Sequence, residues 1–220
     1  MTHKETILKV LVGSRAHGLH TPDSDYDFRG VYVLPTAEIL SLGHNYKGSS
    51  WLEGAEDNTS YEIGHFLFLA TKANPSILEV LVSAEIAEAS PLGQEMRTLL
   101  PYVYEPRAAF AAFTGYSYNQ RKKMLDGKDS RPLKYATAYL RTLYNLCDLL
   151  ETGTFSLKVE REDRRKTLLS IKHGELSVGL IIDLCDEQTR RAQALLCDAK
   201  NTQDLTRVND FLLRVRKAYF

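Results

Sequence analysis

Two short segments near the start of this 220-residue chain could handle phosphate and a metal ion together: Val12-Gly13-Ser14 and, after ten intervening residues, Asp25-Tyr26-Asp27-Phe28. Side chains alternate along an extended segment, so Asp25 and Asp27 share one face and Tyr26 and Phe28 the other. Two carboxylates on one face repel unless a cation sits between them. An all-oxygen donor set suits a hard ion, Mg²⁺ or Mn²⁺, and Mg²⁺ usually shares its remaining positions with substrate phosphates. Gly13 and Ser14 follow an apolar run and offer free backbone N–H groups, a hydroxyl and close backbone approach, which is a phosphate cradle. A D-x-D pair or a Gly-Ser turn alone is common on protein surfaces; both together, each flanked by apolar strand residues, are a more specific pattern.

Those residues need a sheet to hold them. The run at 7–12 predicts a strand ending in the Gly13-Ser14 turn, with a helix starting there. Residues 25–34 predict a second strand closed by Pro35, and 57–63 a third. Helices are predicted at 36–42, at 64–72 and, after Asn74-Pro75-Ser76, at 77–82. Such alternation implies an α/β-type sheet domain. Beyond residue 106 the signal is helical: 107–125, 133–151, 175–199 and 205–219 carry apolar residues every three to four positions. In 133–151 Leu133, Ala136, Leu140, Leu143, Leu146 and Leu150 line one face, and Gly153 ends the helix. Residues 155–159 read as a brief extended stretch, and a polar helix begins at 160. The expected fold class is therefore α+β, an α/β-type sheet domain over 1–105 followed by an all-helical domain over 106–220.

Composition narrows the classes of function. Hydrophobic residues make up 44% and charged residues 25%, and no apolar run approaches the ~20 residues of a membrane span, which argues against membrane, collagenous and disordered classes. The polar opening Met-Thr-His-Lys-Glu-Thr is unlike a secretory signal, and Cys147, Cys185 and Cys197 lack any C-x-x-C spacing. A reducing cytoplasmic location is expected. Net charge is zero, yet residues 1–105 hold 7 Lys/Arg against 14 Asp/Glu and residues 115–173 hold 13 against 7. An acidic half beside a basic stretch fits a metal-binding carboxylate site facing a polyanion, and equally fits two solvated surfaces of opposite sign.

The G-S and D-x-D segments at this spacing resemble the signature of the DNA polymerase β-like nucleotidyltransferase superfamily. The longer stretch G-S-R-A-H-G-L-H-T-P-D-S-D-Y-D-F-R-G-V-Y-V is similar to the opening of the nucleotidyltransferases found in RNA-repair gene contexts, as are K-A-N-P-S-I-L-E-V-L (72–81), F-T-G-Y-S-Y-N-Q (113–120) and K-Y-A-T-A-Y-L-R (134–141). The resemblance implies a palm-like sheet domain at 1–105, a helical substrate-binding domain at 106–220, and two-metal transfer of an NMP from an NTP such as ATP to a hydroxyl, with pyrophosphate released. It implies a third carboxylate on a neighbouring strand. Asp57 falls where that acid is expected; Glu62, five residues on, is the alternative and would face the other way on a regular strand, a ranking that a bulge would reverse.

Gly13, Ser14 and Arg15 are the expected nucleotide-binding residues of the first half. Lys134 and Arg141, two helical turns apart and so on one face, are those of the second; the resemblance alone lifts them above Lys123 or Arg165. Ala138 departs from the resemblance, standing where a His is expected, which bears on acceptor choice. His17 and His20 lack a third ligand for a soft metal and fit a packing role better, and Gly30 allows close approach of a neighbouring element. An RNA or tRNA 3′ end is the favoured acceptor, ahead of a small molecule or a protein hydroxyl. Rival readings are a non-catalytic nucleotide- or nucleic-acid-binding module of the same fold, and an interaction protein built on it.

Overall fold

The computed structural model describes residues 4–42, 49–52, 57–127 and 130–220, with residues 49–52, 57 and 58 described by backbone alone. Its first half runs β1 (Glu5–Val12), α1 (Gly13–Ala16), β2 (Asp27–Val33), α2 (Thr36–Leu40), β3 (Ser49–Leu52), β4 (Asp57–Glu62), α3 (Ile63–Thr71), α4 (Pro75–Val82), β5 (Ile86–Ala89), α5 (Pro91–Arg97) and α6 (Leu100–Val103). The strands form one mixed five-stranded sheet in the order β3-β4-β2-β1-β5. β1 pairs antiparallel with β2 and with β5, β2 pairs parallel with β4, and β3 pairs antiparallel with β4. The apolar run of β1 buries Ile7, Leu8, Val10 and Val12. Ile7 and Leu8 are buried in succession because the ladder shifts register between Thr6 and Leu8, where a bulge breaks the alternation. At Gly30, a Cβ would lie 2.7 Å from Ser60 Oγ on β4, so the expected close approach is present.

Helix boundaries follow local chemistry. The Asn74 side chain accepts from the N–H groups of Ser76 and Ile77 at 3.0 and 3.3 Å, and Pro75 opens α4 where its missing N–H is harmless. The second half comprises α7 (Pro106–Leu125), α8 (Pro132–Thr152), α9 (Glu162–Lys172), α10 (Val178–Leu195) and α11 (Leu205–Ala218). α8 is buried on most of its circumference because α7, α9 and α10 all pack on it. The stretch 155–159 adopts no regular strand.

Packing does not stop at residue 105. One hydrophobic cluster joins Ile7, Val31 and Phe66 to Phe113, Leu146, Phe211 and Val215, and a second gathers Leu19 with Tyr139, Leu140, Leu143, Leu168 and Ile181. α11 returns to the first half: the Thr36 hydroxyl donates to the Arg216 carbonyl at 2.6 Å, and the Thr36 N–H to the Tyr219 carbonyl at 2.8 Å. The tail from 205 thus sits with the sheet, a placement that a linear division of the chain misses. Among the described residues no helix is long and apolar enough to cross a membrane.

Candidate active site

The two chemistry-bearing segments meet where β1 ends. Val12, the last residue of β1, is the register partner of Asp27, the first residue of β2, so the cradle begins beside the carboxylate. Gly13 has φ +71°, and a Cβ built there would lie 1.9 Å from Asp27 Oδ2. Only glycine permits that contact and that backbone conformation together. Asp27 is half-buried, and Asp25 is exposed, just ahead of the strand rather than within it. The alternation nevertheless extends past the ladder, for Tyr26 and Phe28 stack at 6.5 Å between ring centres, as residues sharing the face opposite the carboxylates.

Arg15 is committed to the loop that carries Asp25. Its Nε donates to the Ser24 carbonyl at 2.9 Å, its Nη2 to the Pro22 carbonyl at 3.3 Å, and its guanidinium lies 4.0 Å above the Tyr26 ring. The residue expected to bind phosphate therefore ties the loop to the cradle. Ser14 lies half-buried in α1, its carbonyl accepting from the Leu19 N–H at 3.0 Å.

The candidate third carboxylates diverge. Asp57 opens β4 at the register position paired with Asp27 across the parallel ladder; its side chain lies outside the described residues. Glu62 pairs in register with Tyr32, roughly 16 Å further along the strand. It is fully buried, accepts from the Gly64 N–H at 2.7 Å, and forms an ion pair with Arg216 at 2.7 Å. The structure thus does not bring Glu62 to the aspartate pair: it caps α3 and neutralises an arginine of α11. Among the described residues no three His, Cys, Asp or Glu side chains gather as a metal site. Asp25 and Asp27, oxygen donors beside a backbone with room only for glycine, fit a hard divalent ion, with Asp57 as the residue that would complete the set.

Behind the pair lies a largely buried ion cluster. Arg29, two residues after Asp27 and so on the same face of β2, reaches Glu79 Oε2 at 3.2 Å and the Ser76 carbonyl at 2.8 Å. Arg141 of α8 binds Glu79 Oε1 at 2.8 Å. Burial would push the Glu79 carboxyl up, but Arg141, His17 and Arg29 together hold it down to about 2. His17, just after α1, is buried with Nδ1 lacking a hydrogen-bond partner among the described residues. Burial first, then the Arg141 charge, lowers it to about 3, so it is neutral at physiological pH and packs as expected. Of the two basic residues expected to share phosphate on α8, Lys134 is exposed in the first turn and Arg141 is only 7% exposed and ion-paired. Arg141 therefore acts on Glu79, a residue that motif reading passed over. Its signal was a lone acid within the apolar run Ile77-Leu78-Glu79-Val80-Leu81.

A protein of Bacillus subtilis (strain 168) named "Uncharacterized protein YcgL" is 29% identical over 125 residues, covering 56% of this chain and 48% of that protein. An Enterobacteria phage T4 protein, "Uncharacterized 38.9 kDa protein in nrdC-mobD intergenic region", is 31% identical over 85 residues, 35% of this chain and 25% of its own length. The matches thus span about half of one relative and a quarter of the other. The family described as RNA repair pathway DNA polymerase beta family matches residues 1–214, nearly the whole chain, and points to nucleotidyl transfer as the class of activity. With the cradle and the aspartate that abuts it both inside that match, the chain belongs to the RNA repair pathway DNA polymerase beta family, RlaP.

Proposed function

We propose that this protein is a metal-dependent nucleotidyltransferase that moves an NMP from an NTP, ATP among the candidates, to a hydroxyl acceptor. The observation that carries the reading is the close approach of the Asp27 carboxylate to the Gly13 backbone, which supports a carboxylate acting beside a phosphate cradle. Gly13 and Ser14 would bind the triphosphate through backbone N–H groups and the Ser14 hydroxyl. Asp25 and Asp27, with Asp57, would hold Mg²⁺ or Mn²⁺. A divalent ion bound there supplies charge stabilisation for the attacking and leaving oxygens of an in-line displacement. The acceptor oxygen loses its proton as it bonds to the α-phosphorus, and pyrophosphate leaves with the electrons of the broken P–O bond. Lys134, exposed at the start of α8, remains available to the phosphates; Arg15 and Arg141 serve the loop and the buried cluster.

An RNA or tRNA 3′ end is the acceptor we favour. The basic stretch 115–173 and the RNA-repair family support it. Incubating the protein with each α-labelled NTP, Mg²⁺ or Mn²⁺, and separate RNA, protein and metabolite fractions tests the reading. Label is expected in RNA; label in another fraction would reassign the acceptor, and none in any fraction would contradict transfer.

A further inference from the structure

A second polar hollow lies apart from the aspartate pair, formed by α8, the start of α9 and residues 156–161. Its volume is about 130 Å³. The floor consists of Arg141, Tyr144, Asn145 and Arg164, each 9% exposed or less. The rim is exposed and includes Ser156, Lys158 and Arg161. Four cations, Arg141, Lys158, Arg161 and Arg164, and two carboxylates, Asp148 and Glu160, line the hollow, and Arg161 is itself paired with Asp163 through Nε and Nη2 at 3.2 and 2.8 Å.

The donors here are only partly used. Arg164 spends one nitrogen, Nη1, on both oxygens of Asp148 at 2.9 and 2.7 Å, and its guanidinium lies 4.6 Å from the Tyr144 ring centre. Arg141 spends Nη1 on Glu79. Each guanidinium offers five N–H donors in all, so most of both forks remains. The Asn145 side chain, buried in the floor, and the Lys158 ammonium have no hydrogen-bond or ionic partner among the described residues. The amide is not sealed from solvent, so it faces the water of the hollow and is free to turn to a ligand there.

We propose that this hollow binds a terminal phosphate, the dianionic end of a nucleotide or of a nucleic-acid strand. Its volume leaves room for the oxygens of one phosphate. Two arginine forks, an ammonium and an amide converging from floor and rim match a tetrahedral acceptor of charge −2 better than a planar carboxylate. The hollow borders the end of α1: the Val159 N–H donates to the His17 carbonyl at 3.1 Å, and Arg141 joins the floor to the Glu79 cluster. The inference concerns binding alone and stands whether or not the aspartates transfer nucleotides.

The test is calorimetric binding in EDTA, which keeps the aspartate pair out of the measurement. The probes are inorganic phosphate and one short RNA carrying hydroxyl ends, a 5′-phosphate or a 3′-phosphate, with ATP as a competitor of phosphate. Phosphate is expected to bind saturably, and a phosphorylated end or ATP to gain about tenfold over its hydroxyl counterpart, adenosine in the case of ATP. Exposed Lys158 and Arg161 can be replaced without touching the core, and the Lys158→Ala, Arg161→Ala double variant is expected to lose the gain. The Asp25→Asn, Asp27→Asn double variant is expected to keep it. Displacement of phosphate by ATP alone assigns the hollow to the nucleotide, and displacement by phosphorylated RNA alone assigns it to a strand end; either upholds the site. Absence of saturable phosphate binding, or a gain that survives in the Lys158, Arg161 variant, would overturn it.

Discussion

Asp27 and Arg29 stand two residues apart on one face of β2, yet their surroundings are opposite. Asp27 lies against the Gly13 backbone at the end of the sheet, beside the exposed Asp25. Arg29 reaches into a cluster in which Glu79 is shared with Arg141, closed off by α4 and α8. The first region concentrates negative charge near solvent, which is useful when a cation and a phosphate arrive. The second sets two arginines on one shared carboxylate and so offsets part of its charge internally, which is useful for holding a strand in place. On the proposed function, charge near the cradle is divided between groups that act on ligands and groups that fix the frame, a division invisible in residue type alone.

Substitutions that unbalance the frame test this division most severely. Glu79→Gln leaves buried Arg141 and half-buried Arg29 without a counter-charge and is expected to cost about 3–5 kcal/mol in urea unfolding. Adding Arg141→Met should restore part of that loss; equal costs with and without Arg141 would break the cluster apart as an explanation. Acid comes next. His17 is lowered in the folded protein to about 3 from 6.5, so its stabilising neutral state is fully present above pH 6.5 and is lost as pH falls toward 3. Glu79, lowered to about 2 from 4.5, adds a further loss only below pH 4.5. Between pH 7 and pH 5 the wild type should lose on the order of 2 kcal/mol, and His17→Gln should flatten that slope.

Smaller effects are expected where ligand-facing residues are shaped rather than balanced. Gly13→Ala must place a Cβ against Asp27 at φ +71°, costing about 1–2 kcal/mol from the left-handed backbone alone, and should reduce transfer more than it reduces stability. Arg15→Ala releases the Ser24 and Pro22 carbonyls of a half-exposed loop. It should cost about 1 kcal/mol and speed proteolysis within 21–26; unchanged cleavage would remove Arg15 from the loop.

Local pattern made much of this arrangement legible. The apolar run of β1 and the regular spacing of α7 and α8 fall within two residues of the structure, because periodicity is a property of neighbouring residues. β3 and β5 were not foreseen: each has four residues, and β5, Ile86-Ala87-Glu88-Ala89, takes its ladder from β1 rather than from its own propensity. The aspartates and the glycine were legible since spacing and residue type together state their chemistry. Arg141 was chosen for its charge, but its partner Glu79 lies 62 positions away, and no local pattern reports such a pairing. The return of α11 to Glu62 and Thr36 escaped notice for the same reason.

The central claim is that Asp25 and Asp27 act on a ligand while the Glu79 cluster holds the frame. Transfer of label from an α-labelled NTP to RNA, measured with the thermal unfolding of the same samples, addresses it directly. Asp25→Asn, Asp27→Asn is expected to lose about 10³-fold or more in transfer rate with an unchanged melting temperature. Full transfer by that variant would contradict the account.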